Sequence, residues 1–266
     1  MRRYFNIFTI YSQEALEVKS LSVVWFLTVL VGPLLMLVFW SGATKAQGGS
    51  IMGWDYASFA SYYLLIALAG SLFTSHVEEK IATDDIKDGE LTNYLLKPIS
   101  YLKINFLDEL PWRFIQGTLA ILTIIFIGLV ADGLIQITTS PLGLFLAIVS
   151  TLLAFFISFL FKMCLGLLAF WLTEINGVLL IFEIIMDICG GIIIPLVFLP
   201  SLLQSFLNVL PFAYMVYYPI LSLLGKLTTQ QQLLIICIQI GWLIAFQLLY
   251  KFLWSQGIKK YTAIGR

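Results

Sequence analysis

LSVVWFLTVLVGPLLMLVFW, residues Leu21–Trp40, runs for 20 residues without a charged side chain. At a rise of about 1.5 Å per residue, a helix of that length covers the roughly 30 Å hydrocarbon core of a bilayer. Four further stretches read the same way: Tyr56–Thr74, Phe114–Val130, Leu142–Phe161 and Leu233–Tyr250. A sixth, Ile175–Leu199, is 25 residues long but contains Glu183 and Asp187. Many of these runs are rich in β-branched residues, which the bilayer tolerates because it forces backbone groups to pair within the helix. The expected fold is an all-α integral membrane protein with six transmembrane helices, forming one domain over residues 1–266.

The composition agrees. Apolar residues make up 60% of the 266 and charged residues 11%, against about 45–50% and 25% in soluble domains. Mean hydropathy is +0.97. A soluble protein could not cover so much apolar surface, which excludes a soluble enzyme, a disordered chain and a nucleic-acid binder. Cys164, Cys189 and Cys237 all fall in apolar runs, without CxxC or Cys/His spacing, and read as small buried hydrophobes.

Lysine and arginine total 15, as do aspartate and glutamate, so the information lies in where the charges sit. With six spans and a cytoplasmic N-terminus, 13 of the 15 basic residues fall inside, Lys162 and Arg113 among them, and only Lys45 and Lys226 outside. That asymmetry predicts both termini in the cytoplasm. The N-terminal stretch lacks the clean apolar core of a cleaved signal peptide. Tyr4, Phe5, Ile7, Phe8, Tyr11, Ala15 and Leu16 recur at helical spacing, predicting an amphipathic interfacial helix over residues 1–19. Residues 251–266 read as a cytoplasmic tail.

Residues 188–225 carry no charge, but Pro195, Pro200, Pro211 and Pro219 interrupt any long helix there. A broken or re-entrant element on the outer side, between spans 5 and 6, is expected. Such irregular backbone is permitted at membrane depth only where protein or a wet cavity covers it.

One long charged block interrupts the apolar pattern. Residues 77–113, between spans 2 and 3 on the cytoplasmic side, are too few for an enzyme domain and enough for two short helices. Ile86, Leu91, Tyr94, Leu95 and Leu96 are expected to share one apolar face, with Pro98 ending that helix. The block reads either as a solvated loop or as a docking element for a soluble partner. Asp84–Glu90 departs from a calcium loop at Ile86, and Leu95 stands where the bidentate acid belongs. The chain has no GxxxxGK[ST], GxSxG or HExxH. The sole histidine, His76, reads as an interfacial residue.

Glu183 and Asp187 are four residues apart and share one helix face. A charge at mid-bilayer costs roughly 2.5–3.5 kcal/mol on insertion scales, and no Lys or Arg is expected mid-span to pair with them. They read as the lining of a translocation path, or as structural hydrogen-bonding groups between helices or residues at a more interfacial position.

Three segments resemble the permease subunit of a bacterial type-2 ATP-binding-cassette (ABC) exporter. The first is Ile86-Lys-Asp-Gly-Glu-Leu-Thr-Asn-Tyr-Leu-Leu-Lys-Pro98, similar to the G-x-L…L-L-x-P run after that family's second span. The second is Gly191-Ile-Ile-Ile-Pro-Leu196 with Leu199-Pro200, Leu210-Pro-Phe212 and Tyr218-Pro219. The third is Gln256-Gly-Ile-Lys-Lys-Tyr-Thr-Ala-Ile-Gly265. The resemblance implies a non-enzymatic permease in a bacterial cell membrane that forms the translocation path for an amphipathic or hydrophobic export substrate. It implies a second permease, identical or homologous, and two copies of an ABC ATPase that hold ATP and magnesium, with no cofactor on this chain. It assigns the coupling role to Asp88, Gly89, Glu90, Leu91, Tyr94, Leu95, Leu96, Lys97 and Pro98. Glu183 and Asp187 match no motif of the family. The competing reading is a proton- or ion-coupled secondary transporter that uses those two acids.

Overall fold

The computed structural model describes residues 2–17, 19–73, 77–131, 133–138 and 140–261. His76 and the last residues of the C-terminal motif, 262–265, lie outside the described residues.

The chain starts with α1 (Arg2–Glu17), then α2 (Lys19–Ala46), which carries Pro33. A two-residue hairpin, β1 (Ser50–Ile51) and β2 (Trp54–Asp55), turns the chain into α3 (Tyr56–Phe73). The charged block folds as α4 (Val77–Lys80), a π-helix (Ile81–Lys87) and α5 (Leu91–Leu95). Next come α6 (Tyr101–Val130) and α7 (Pro141–Leu167). Broken apolar elements follow: α8 (Asn176–Cys189), α9 (Ser201–Leu207), α10 (Phe212–Met215) and α11 (Tyr217–Leu223). The last helix is α12 (Thr229–Lys260), whose start is closed by a reciprocal Thr228–Gln231 capping box.

Among the described residues, five helical runs are long and apolar enough to cross a membrane, containing α2, α3, α6, α7 and α12. α3 sits at the centre, with Phe59, Tyr62 and Tyr63 fully buried, while α2 packs on it and α12 packs along α7. Large apolar side chains on α2, α6 and α12 remain outward-facing, including Val38, Leu129 and Leu248. That distribution suits helices surrounded by lipid rather than water.

The sixth apolar unit departs from the sequence reading. Ile175–Leu199 is not one continuous span: α8 has 14 residues, about 21 Å at the α-helical rise. The helix stops at Gly190–Gly191, and Gly191 takes φ +77°, a conformation that glycine adopts freely. Central tyrosines satisfy the freed backbone groups. The Tyr62 hydroxyl donates to the Gly191 carbonyl at 2.7 Å and the Tyr63 hydroxyl to the Ile193 carbonyl at 2.8 Å. Gln204 donates its side-chain amide to the carbonyls of Val197 and Leu199. The expected broken element is present, with α9 and the α10–α11 pair bent by 74°.

The break between α10 and α11 is closed from α12. Fully buried Gln239 donates to the carbonyls of Tyr214 at 2.9 Å and Ser150 at 3.0 Å. Gln232 likewise bonds Ser222 and the Gly143 carbonyl. Polar residues in apolar helices here stand in for the water that a membrane interior lacks.

Residues 101–113, read from the sequence as the end of a loop, are already helical in α6. Lys162 and Arg113, assigned to a loop side by their charge, are both buried in helices, on α7 and α6 respectively.

Candidate functional site

The charged block is not a free loop, because each of its short elements is pinned to a long helix. Lys162 on α7 donates to Glu78 on α4 at 2.8 Å, and both side chains are largely buried. Lys80 pairs with Asp108 on α6. Arg113 pairs with Glu109 one turn away and donates to the Ser71 carbonyl on α3 at 3.0 Å. These contacts tie the base of the block to α3, α6 and α7.

Asp85, in the π-helix, is fully buried and accepts from the hydroxyl of Tyr101. Tyr101 in turn stacks on Trp254 of α12, with ring centroids 4.7 Å apart, and meets Tyr94 of α5 edge-on at 5.5 Å. One tyrosine thus joins the π-helix, α5, α6 and α12. Leu91 is also fully buried, in a cluster with Val77, Ile81, Met163, Leu167 and Tyr250.

Gly89 makes the turn between the π-helix and α5 with φ +87°, the left-handed region where side chains other than glycine are strained. The hydroxyl of Tyr261, just beyond α12, donates to the Gly89 carbonyl at 2.8 Å and lies 3.0 Å from the Thr92 hydroxyl.

The nine residues singled out as a coupling element therefore separate into two groups. Leu91, Tyr94 and Gly89 hold the element to the bundle. Asp88, Glu90, Leu95, Leu96, Lys97 and Pro98 are exposed, with Leu96 at 80%. The single apolar face expected from Ile86, Leu91, Tyr94, Leu95 and Leu96 does not form. α5 is five residues long and ends before the residue preceding Pro98, as proline disfavours helical backbone at the position before it. Lys97 lies over the Tyr94 ring at 4.9 Å, a cation–π contact that holds the exposed end against the anchored one.

Glu183 and Asp187 do share one face of α8, and they line a cavity of about 160 Å³ together with Glu78, Lys162 and Asn176. The expectation that no cation stands near them is corrected: Lys162 reaches the same cavity from α7. Charge usually marks a loop, so the sequence placed Lys162 at the surface. Its partner Glu78 is 84 residues away in sequence and leaves no local signal. Tyr101, Asp85 and Glu78 were missed for the same reason. Gln232 and Gln239 did carry a readable signal, since two amides spaced seven apart on an apolar helix imply buried acceptors.

No curated protein and no solved structure matches the chain significantly. A family model described as "ABC-2 family transporter protein" matches residues 30–265. With almost the whole helical bundle and its charged block inside that match, the chain belongs to the ABC-2 family and is a multi-pass type-2 ABC transporter permease.

Proposed function

We propose that this chain supplies the membrane passage of an ABC transporter and takes its energy from a separate ATPase subunit seated on residues 88–98. ABC-2 membrane proteins generally pair with ATPase subunits. The observation that carries the reading is the division within the coupling element. Exposed residues, Glu90 and Leu95 to Pro98, form a tip that stands on a base held by Leu91, Tyr101 and Tyr261. A partner that grips the tip pulls directly on α6 and α12.

The energetics follow from linkage. An ATPase dimer shifts the permease between two arrangements only by binding one better than the other. A floppy tip would absorb that difference, and a tip fixed by aromatic stacking and buried hydrogen bonds passes it to the helices. ATP and magnesium are held by the partner, and this chain has no role in hydrolysis. Two ATPase copies and a second permease, identical or homologous, complete the assembly. Both termini and the charged block face the cytoplasm of a bacterial cell, in line with the lysine and arginine distribution. The cavity of Glu183 and Asp187 lies on the passage, and the substrate exported is amphipathic or hydrophobic.

Reconstitution in vesicles with the ATPase tests this reading. Transport stops when ATP is withheld, and Glu183→Gln alters it without removing the ATP requirement. Transport that persists without ATP and collapses in Glu183→Gln would establish a proton- or ion-coupled carrier instead.

A further inference from the structure

A groove of about 660 Å³ lies between α6, α7 and α12, and among the described residues its polar lining is two lysines and one glutamine amide. Phe106, Phe156, Phe159 and Leu248 line its walls. Phe106 stacks on Phe156 at 5.7 Å and meets Phe159 edge-on at 5.5 Å, giving one continuous aromatic wall. Phe156 and Leu248 are exposed, so the groove opens on the outside of the bundle. All three helices are long and apolar enough to cross a membrane, so the opening meets lipid.

Lys103, at the start of α6, and Lys251, near the end of α12, line the same groove. Both belong to the end of the bundle that carries the charged block. Among the described residues neither pairs with a carboxylate. Lys103 lies over the ring of Tyr4 on α1 at 5.6 Å, which holds its ammonium beside the groove.

We propose that this groove binds one anionic phospholipid from the leaflet on the side of the charged block, with its phosphate between Lys103 and Lys251 and an acyl chain along the aromatic wall. Apolar walls alone select nothing in a bilayer, since every lipid tail satisfies them equally. The selection comes from charge: two ammonium groups at headgroup depth attract a phosphodiester and repel the trimethylammonium of a zwitterionic lipid. Basic pockets between transmembrane helices recognise anionic headgroups on this principle. The bound lipid would join α1, α6 and α12, the last two of which carry Tyr101 and Trp254.

The test is native mass spectrometry of the full-length chain in mild detergent, titrated with phosphatidylglycerol or phosphatidylcholine of matched acyl chains. We expect phosphatidylglycerol to be retained about tenfold or more over phosphatidylcholine, the size two surface lysines can supply. Lys103→Gln with Lys251→Gln should bring the two lipids to parity, and Lys103→Arg with Lys251→Arg should restore the preference. Ile244→Trp, which fills the groove, should weaken retention of both lipids. Equal retention by the native chain overturns the proposal, as does a preference that survives loss of both lysines. Glycerol 3-phosphate displacing the lipid at equal concentration would also overturn it, by marking a free-phosphate site.

Discussion

The hydroxyl of Tyr261 donates to the carbonyl of Gly89 at 2.8 Å, across 172 residues of sequence. It fastens the turn that leads into the exposed residues Leu95 to Pro98 to the end of the last helix. Tyr261→Phe keeps the ring and removes this bond and the contact with Thr92. A neutral hydrogen bond contributes about 1 kcal/mol, so the fold should persist. The expected result is faster proteolysis within residues 88–98 and transport that falls more than ATPase binding does. Limited proteolysis and a transport assay, run in parallel, check it.

Tyr101→Phe acts one layer deeper. Asp85 Oδ2 loses its donor, and Oδ1 of the same carboxylate already has no partner among the described residues. Leaving a buried polar group unsatisfied costs about 1–3 kcal/mol, more when it is charged. Thermal unfolding in detergent should show a clear loss of stability. Asp85→Asn in the Tyr101→Phe background should recover part of it, because the neutral amide is cheaper to bury.

Lys162 and Glu78 form a buried pair, and removing one member strands the other. Lys162→Met alone should destabilise the protein by about 3–5 kcal/mol, whereas Lys162→Met combined with Glu78→Gln should come much nearer to the native chain. A double-mutant cycle on unfolding free energies measures the difference. Near-additive single and double variants would show that the two charges do not depend on each other.

Gln239→Leu should cost about 1–3 kcal/mol, at the upper end for polar contacts between membrane helices, because the Tyr214 carbonyl it serves stands at the break between α10 and α11. Gln239→Glu keeps the size and loses the amide donor, so it should be at least as harmful. Equal stability of the native chain and Gln239→Leu, by thermal unfolding, would refute this.

At the opposite end of α3, Asp55 accepts from the hydroxyl of Ser58 at 2.6 Å and from its backbone N–H at 2.8 Å. These bonds favour the ionised form and hold its pKa below the usual carboxylate value. The folded-state pKa lies below the unfolded one, so this stabilising contribution is complete above the unfolded pKa and fades as pH falls through the folded one. Asp55→Asn should therefore be less stable than the native chain at neutral pH, with the gap closing in acid.

How far the sequence could be read depended on whether a signal was local. Leu21–Trp40 and four similar runs announce helices because twenty apolar residues in a row have few other uses. The charged block stands out against them, and Gly89 and Pro98 punctuate it visibly. The length of α8 was hidden, since hydropathy runs straight through Gly190–Gly191. What allows the break is a pair of tyrosines, Tyr62 and Tyr63, about 130 residues earlier. Lys162 was misplaced because charge alone suggests a surface, and its partner could be found only in three dimensions. The separation of Leu91 from Leu95 and Leu96 into anchor and tip depends on α5 being one short turn, which the spacing of leucines does not specify.

The most direct measurement is affinity purification of the tagged full-length chain from its native membrane, comparing it with Leu96→Asp. Leu96 is 80% exposed, so the substitution should leave thermal stability unchanged. An ABC ATPase should co-purify with the native chain and be lost from Leu96→Asp. Full retention of the ATPase on a correctly folded Leu96→Asp chain, or ATP-independent transport by the purified chain alone, would contradict the account.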